Sequence, residues 1–304
     1  MTSMRGEPVI IHNRYTGASE EEAIFGEGAL RWTYESISGR AVNWMFISRP
    51  FLSKLFGWYM RRPVTVNRIQ PFIDKFGLDV SEFKRPLDEF QSFNDFFRRE
   101  LKEDARPIDS DPASVVFPAD GRHLAWENLG TENHIFVKGQ QWNLKSLLGG
   151  DESLVERFTG GTLVLSRLCP TDYHHFHYPV GGISGEPKAF KGPLYSVNPI
   201  SLRLRAKALW HNYRCLSLIR TTGSSLVCFL EIGATNVGSI HHCSLSQDSR
   251  VSKGEAKGWF EFGGSSVITI FESGQVTLCE DLLEQSGKGI ELYARMGDKL
   301  GSIG

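Results

Sequence analysis

The stretch "KGWFEFGGSSVITIF", residues 257–271, decides how this chain is read. Its last part, Val267-Ile268-Thr269-Ile270-Phe271, is β-branched and apolar, a strand for the core of a protein. Two glycines and two serines, 263–266, separate it from the aromatic run Trp259-Phe260. Glycine weakens a strand interior and marks a bulge, a turn or a close backbone approach, so the break needs a reason. Phosphate binding is a poor one, because the loop joins strand to strand and opens no helix whose N-terminus could hold the anion. What the glycines do permit is a peptide bond in a conformation other residues avoid, with a hydroxyl beside its carbonyl. No G-x-S-x-G elbow is present, which disfavours an ordinary α/β-hydrolase.

The rest of the chain sets the bounds. Its 304 residues are 40% hydrophobic and 23% charged with a net charge of -1, a folded composition with no global attraction to nucleic acid. Cys169, Cys215, Cys228, Cys243 and Cys279 form no CxxC pair, which argues for buried free thiols rather than a disulfide framework or thiolate zinc site. The opening "MTSMRGEPVIIHNRYTG" lacks a signal-peptide core, and no run of about 18 apolar residues occurs, so a cytoplasmic-side location is expected.

Along the chain, residues 1–30 are polar and expected to be loosely ordered. Helix-like spacing follows to Leu101. "FLSKLFGWYM" (51–60) begins after Pro50 and stops before Arg61-Arg62-Pro63, while "SFNDFFRREL" (92–101) offers Ser92 as N-cap and Phe93, Phe96, Phe97 and Leu101 as one face. No acid occurs between Glu35 and Asp74, where Arg40, Arg49, Lys54, Arg61, Arg62 and Arg68 lie among Trp44, Phe46, Phe51, Trp58 and Tyr59. Such a segment suits either an anionic membrane surface, where each cation contributes roughly 1 kcal/mol, or a helix packed on the protein's own core with a solvated basic face. After the linker "RPIDSDP" (106–112) come strand candidates at 114–119, 162–168, 214–221, 225–234 and 265–271. The expected fold is α+β: short amphipathic N-terminal helices over residues 1–105, then a β-rich catalytic domain over 106–304.

Three features carry chemistry. "FPADGR" (117–122) sets Asp120 in a turn, "LCPTDYHHFHYPVGG" (168–182) holds His174, His175 and His177, and the Gly-Gly-Ser loop offers a hydroxyl. In an extended segment His175 and His177 share a face, whereas a turn lets His174 and His177 converge. No HExxH or cysteine pair supports a metal, and no metal is expected. Asp, His and Ser together form the set that activates a hydroxyl nucleophile.

With these residues in view, the chain resembles the phosphatidylserine decarboxylase proenzymes, pyruvoyl-dependent enzymes that cleave themselves. The matching pieces run in order: "FNDFFRRELK" (93–102), "FPADGR" (117–122), "FVKGQQWNLKSLLG" (136–149), "CPTDYHHFHYPVGG" (169–182), "KGPLYSVNP" (191–199), "EIGATNVGSI" (231–240) and "KGEAKGWFEFGGSSVI" (253–268). The resemblance implies a self-cleavage triad of Asp120, His177 and Ser265, with His174 serving the decarboxylation. His175 is instead expected to be a polar loop residue bonded to backbone. Many members carry Leu-Gly-Ser-Thr at the cut; here Gly263-Gly264-Ser265-Ser266 stands there, with Ser265 aligned as nucleophile and Ser266 as fallback.

By that resemblance Asp120 orients His177, which takes the Ser265 proton, and the oxygen attacks the Gly264 carbonyl carbon. The ester opens by elimination, and hydrolysis releases ammonia and leaves a pyruvoyl group on Ser265. The pieces are a β subunit, 1–264, and an α subunit, 265–304, held as a heterodimer that is open to further dimerisation. The self-made pyruvoyl is the expected cofactor, phosphatidylserine the substrate, phosphatidylethanolamine the product and an anionic phospholipid surface the partner, at the cytoplasmic face of a membrane. Two alternatives stand beside it: a pyruvoyl-dependent decarboxylase of a soluble amino acid, and a non-catalytic membrane-binding module.

Overall fold

A computed structural model describes residues 8–24, 27–36, 39, 50–130, 135–137, 140–141, 143–202, 207–234, 240–243, 248–263 and 265–304. Arg40, Trp44, Phe46 and Arg49 of the basic aromatic segment lie outside them, as does Gly264. The protein is α+β and rich in β structure. Among the described residues eleven strands form one sheet. Its main path runs Ser249–Val251, Gly182–Ser184, Arg214–Arg220, Leu226–Ile232, Ser265–Phe271, Thr162–Leu168, Gly121–Trp126, Glu291–Ala294, Ile10–Asn13 and Ala18–Glu21.

The strand Ser265–Phe271 is central and antiparallel to both neighbours, Leu226–Ile232 and Thr162–Leu168. All seven of its residues are buried, since both sheet faces are covered. Val267 and Phe271 enter a core with Phe117, Val164, Phe176, Phe229 and Phe260. Ile268 and Ile270 enter a second core with Leu147, Leu163, Leu230 and Trp210. Two dry faces explain an unbroken apolar run in place of polar alternation. The candidates at 162–168 and 265–271 match observed strands end to end, and those at 214–221 and 225–234 are trimmed to Arg214–Arg220 and Leu226–Ile232.

The N-terminus departs from expectation. Of residues 1–30, Ile10–Asn13 lies parallel to Glu291–Ala294 and pairs with Ala18–Glu21, extending the main sheet. The anchor is tertiary: Ile11 is buried, and the buried Glu22 carboxylate meets Arg167 at 2.8 Å and Arg122 at 2.9 Å.

Helices occur at Pro50–Met60 and Ile69–Phe76, so the proline start and stop signals around 51–60 hold. Ser92 caps as expected, its Oγ accepting from the Asp95 N–H at 3.1 Å, but the helix it starts spans only Phe93–Phe97. It ends early because Lys84 N–H donates to Glu100 O and Lys102 N–H to Glu82 O, drawing the chain into an extended pairing around Leu101 and Phe83. Met60, Ile69, Phe72, Phe83, Phe90, Phe93, Phe96 and Phe97 form a third core, which Phe262 joins. Among the described residues no helix is long and apolar enough to cross a membrane.

Candidate active site

The glycine-serine break is held from both ends. Before it, the Phe262 ring packs on Phe97 at 4.9 Å and Phe93 at 5.3 Å between centroids, and its N–H donates to Asn94 Oδ1 at 2.9 Å. After it, Ser265 begins the central strand opposite Leu168. Between them Gly263 has φ 145°, a region that L side chains rarely adopt. The pleat then separates the two serines: Ser265 shares the face of Val267, whereas Ser266 shares that of Ile268. Ser266 Oγ is buried without a hydrogen-bond partner.

Ser265, fully buried, has its Oγ 3.4 Å from His174 Nδ1, long for a hydrogen bond but aligned as one. His174 Nε2 donates to Cys169 O at 2.8 Å, so the lone pair is on Nδ1, facing the serine. Phe97 stacks on the other side of the ring, 3.8 Å between centroids. Burial, and then the neighbouring Arg99 charge, hold this imidazole well below its ordinary proton affinity, so it is neutral. The surrounding turn is tightly fastened. Asp172 accepts the Cys169 N–H at 2.6 Å and pairs with Arg122, while Arg99 donates to Thr171 O and Asp172 O from between the rings of Phe83 and Phe96.

The other expected members sit differently. His177, on the short strand His175–His177, donates from Nδ1 to Gly254 O at 3.0 Å. Its Nε2 is buried without a partner, and burial pulls the ring down to about 4. Asp120 is gripped by Arg106, whose Nη2 stands at 2.7 Å, and accepts the Met296 N–H at 2.9 Å. Thus Ser265 is brought to His174 and Asp120 to Arg106, with no hydrogen bond from His177 to either Asp120 or Ser265. His175 is bonded to backbone, its Nε2 donating to Arg98 O at 3.1 Å beneath the Tyr173 ring.

Of the remaining groups, Cys215, Glu231 and His242 bring ligand-type atoms within 4.8 Å of one another. A buried cation is already there: Lys257 is ion-paired with Glu231. The thiols are free, but only Cys169, Cys215 and Cys228 are buried as expected; Cys243 is exposed and Cys279 half-buried. Sequence reasoning missed Asn94, Arg99 and Arg106 as supports. Asn94 and Arg99 lie in the quoted "FNDFFRRELK", yet their partners at 262 and 171–172 are far along the chain.

A family profile described as phosphatidylserine decarboxylase matches residues 93–302. The chain belongs to the phosphatidylserine decarboxylase family. A protein of Clostridium beijerinckii named phosphatidylserine decarboxylase proenzyme is 41% identical over 292 residues, 96% of this chain and 98% of that one. Relatives of the same name from Fusobacterium nucleatum and Chlamydia muridarum are 37% and 38% identical, each over 98% of this chain and 99% and 98% of theirs. Phosphatidylserine decarboxylase relatives therefore match this chain through its N-terminal strands as well as its β-rich part.

Proposed function

We propose that this chain is a precursor that cleaves itself between Gly264 and Ser265 and then converts phosphatidylserine to phosphatidylethanolamine. The observation that carries the reading is a buried serine at the start of a central strand, its hydroxyl against a neutral imidazole and its preceding loop pinned through Phe262. Attack on the adjoining carbonyl is local, so little orientation entropy remains to be lost. His177 is assigned the base role in cleavage and Asp120 the role of supporting it; the neutral, unpartnered Nε2 of His177 is the acceptor this needs. The 3.4 Å contact favours a second reading, in which His174 is the base.

The surroundings of residue 265 suit a pyruvoyl group, since Ser265 is fully buried and faces one neutral imidazole. At residue 265 that ketone supplies the electron sink for decarboxylation. His174 then manages a proton beside the reacting atoms: an anionic substrate raises its proton affinity, allowing it to receive a proton and deliver it from Nδ1. Residues 265–304 stay with 1–264 as two subunits, because Ser265–Phe271 is bonded on both edges. Short helices within 1–105 dock on the cytoplasmic face of an anionic membrane, and 106–304 carries catalysis.

Denaturing electrophoresis with intact mass of the short fragment tests the cleavage, which predicts a break at 264/265 and a pyruvoyl end. A single unaltered polypeptide overturns it. Carbon dioxide release from phosphatidylserine vesicles tests the substrate; release only from free amino acids supports the soluble-substrate alternative.

A further inference from the structure

On the sheet face opposite the Ser265 hydroxyl lies a cavity of about 630 Å³ that the cleavage chemistry does not use. The segments "NLKSLLGG" (143–150) and "KGPLY" (191–195) line it together with the Lys207–Arg214 region. Its charged residues are Lys145, Lys191, Lys207 and Arg214, with His211, and among the described residues no Asp or Glu lines it. At its floor Arg214 is only 5% exposed and bonds to carbonyls alone: those of Ser146, Leu147 and Asn212. A buried guanidinium normally has a carboxylate partner, because carbonyl dipoles solvate its charge without neutralising it.

The field is felt next door. Burial, and then Lys207 and Arg214, lower the proton affinity of His211. Lys145 meets Glu152 at the surface, an exposed pair of little strength, while Lys191 and Lys207 are exposed. Gly192 forms part of the wall as bare backbone. A Cβ there would stand 2.1 Å from His211 O, so the wall closes only around glycine.

The geometry points to a binding site for a phosphate-class anion, a monoester or diester that supplies the counter-charge Arg214 lacks, with Lys191 and Lys207 at the rim. Arg214, Ile232 and Ser266 stand opposite one another on successive strands, so the floor lies about 10 Å from the start of the reacting strand. The anion comes either from a lipid headgroup or from free phosphate.

The test compares the purified full chain with a Lys191→Gln/Lys207→Gln double variant. Arg214 is left intact because it holds the end of the helix Leu144–Leu147. Melting temperature is followed with inorganic phosphate against matched chloride, and sedimentation with phosphatidylcholine vesicles containing phosphatidylglycerol against phosphatidylcholine alone. Loss of a phosphate-specific stabilisation in the variant supports the site. A fall in anionic-vesicle binding on the order of thirtyfold, from two cations, assigns it to headgroups. Unchanged vesicle binding with a lost phosphate shift assigns it to the soluble ion. Equal behaviour of parent and variant in both assays overturns the proposal. Neither readout depends on self-cleavage, so failure here leaves the proposed reaction standing, and the reverse holds too.

Discussion

Two adjacent serines, both fully buried, differ only in which way the pleat turns them. Ser265 faces His174, and Ser266 faces the second core without a hydrogen-bond partner. Electrophoresis should therefore find Ser265→Ala whole and Ser266→Ala cut; an intact Ser266→Ala chain that folds normally moves the nucleophile to the fallback. The histidines separate in the same assay. His177→Ala is expected to stay uncleaved, whereas His174→Ala is cleaved but releases carbon dioxide at least about a hundredfold more slowly. The opposite pattern transfers the base role to His174. Gly263→Val forces a β-branched residue to φ 145°, strain of about 1–3 kcal/mol in the loop that must present the carbonyl, and should slow cleavage.

At the scale of the element, Phe93–Phe97 is too short to be stable alone and is held by packing. In return it positions two parts of the site, Asn94 on the Phe262 amide and Phe97 on the His174 ring. Asn94→Ala removes the buried side-chain acceptor of that N–H, a loss of about 1–3 kcal/mol. A lower melting temperature together with slower fragment appearance is expected; cleavage at the parent rate would show that the loop needs no such anchor. The helix Pro50–Met60 gives a different test. Trp58 is 51% exposed under the Arg62 guanidinium, with Leu55 and Val64 exposed nearby in sequence. If this surface meets lipid, Trp58→Ser lowers binding to anionic vesicles and leaves the melting temperature almost unchanged.

Across the whole molecule, the chain is stitched by buried charge. Arg167 joins Glu22 near the N-terminus to Glu291 near the C-terminus, and Arg122 joins Glu22 to Asp172 in the histidine turn. Acid should loosen this in two stages. His123 and His177, held down to about 3 and about 4 by burial, are neutral when folded but protonate near 6.5 when unfolded. The unfolded chain then binds more protons, so stability falls as pH drops below 6.5, by up to about 1.4 kcal/mol per pH unit for each. Glu22, lowered to about 2 by Arg167 and Arg122 against its burial, contributes fully above its ordinary 4.5 and is lost as pH falls from there toward 2. Melting temperature measured from pH 7 to 4 should decline throughout; a flat profile contradicts the neutral buried histidines.

The strand Ser265–Phe271 and its neighbours were legible in sequence because β-branched apolar runs have few other places to go, and Ser92 as a cap because its hydroxyl acts within three residues. The residues brought to the hydroxyl were not legible in the same way. Spacing leaves His174 and His177 equivalent candidates, and the selection of His174 for contact with Ser265 comes from Cys169 O, Phe97 and the pleat. Asp120 is likewise held by Arg106 rather than by a histidine. Nor could polarity at the N-terminus foretell an added pair of strands, since what holds them is a carboxylate at 22 meeting arginines at 122 and 167. Local propensity and hydrophobic period are written in neighbouring residues and so belong to the sequence; hydrogen bonds and ion pairs between distant residues exist only once the chain has closed on itself.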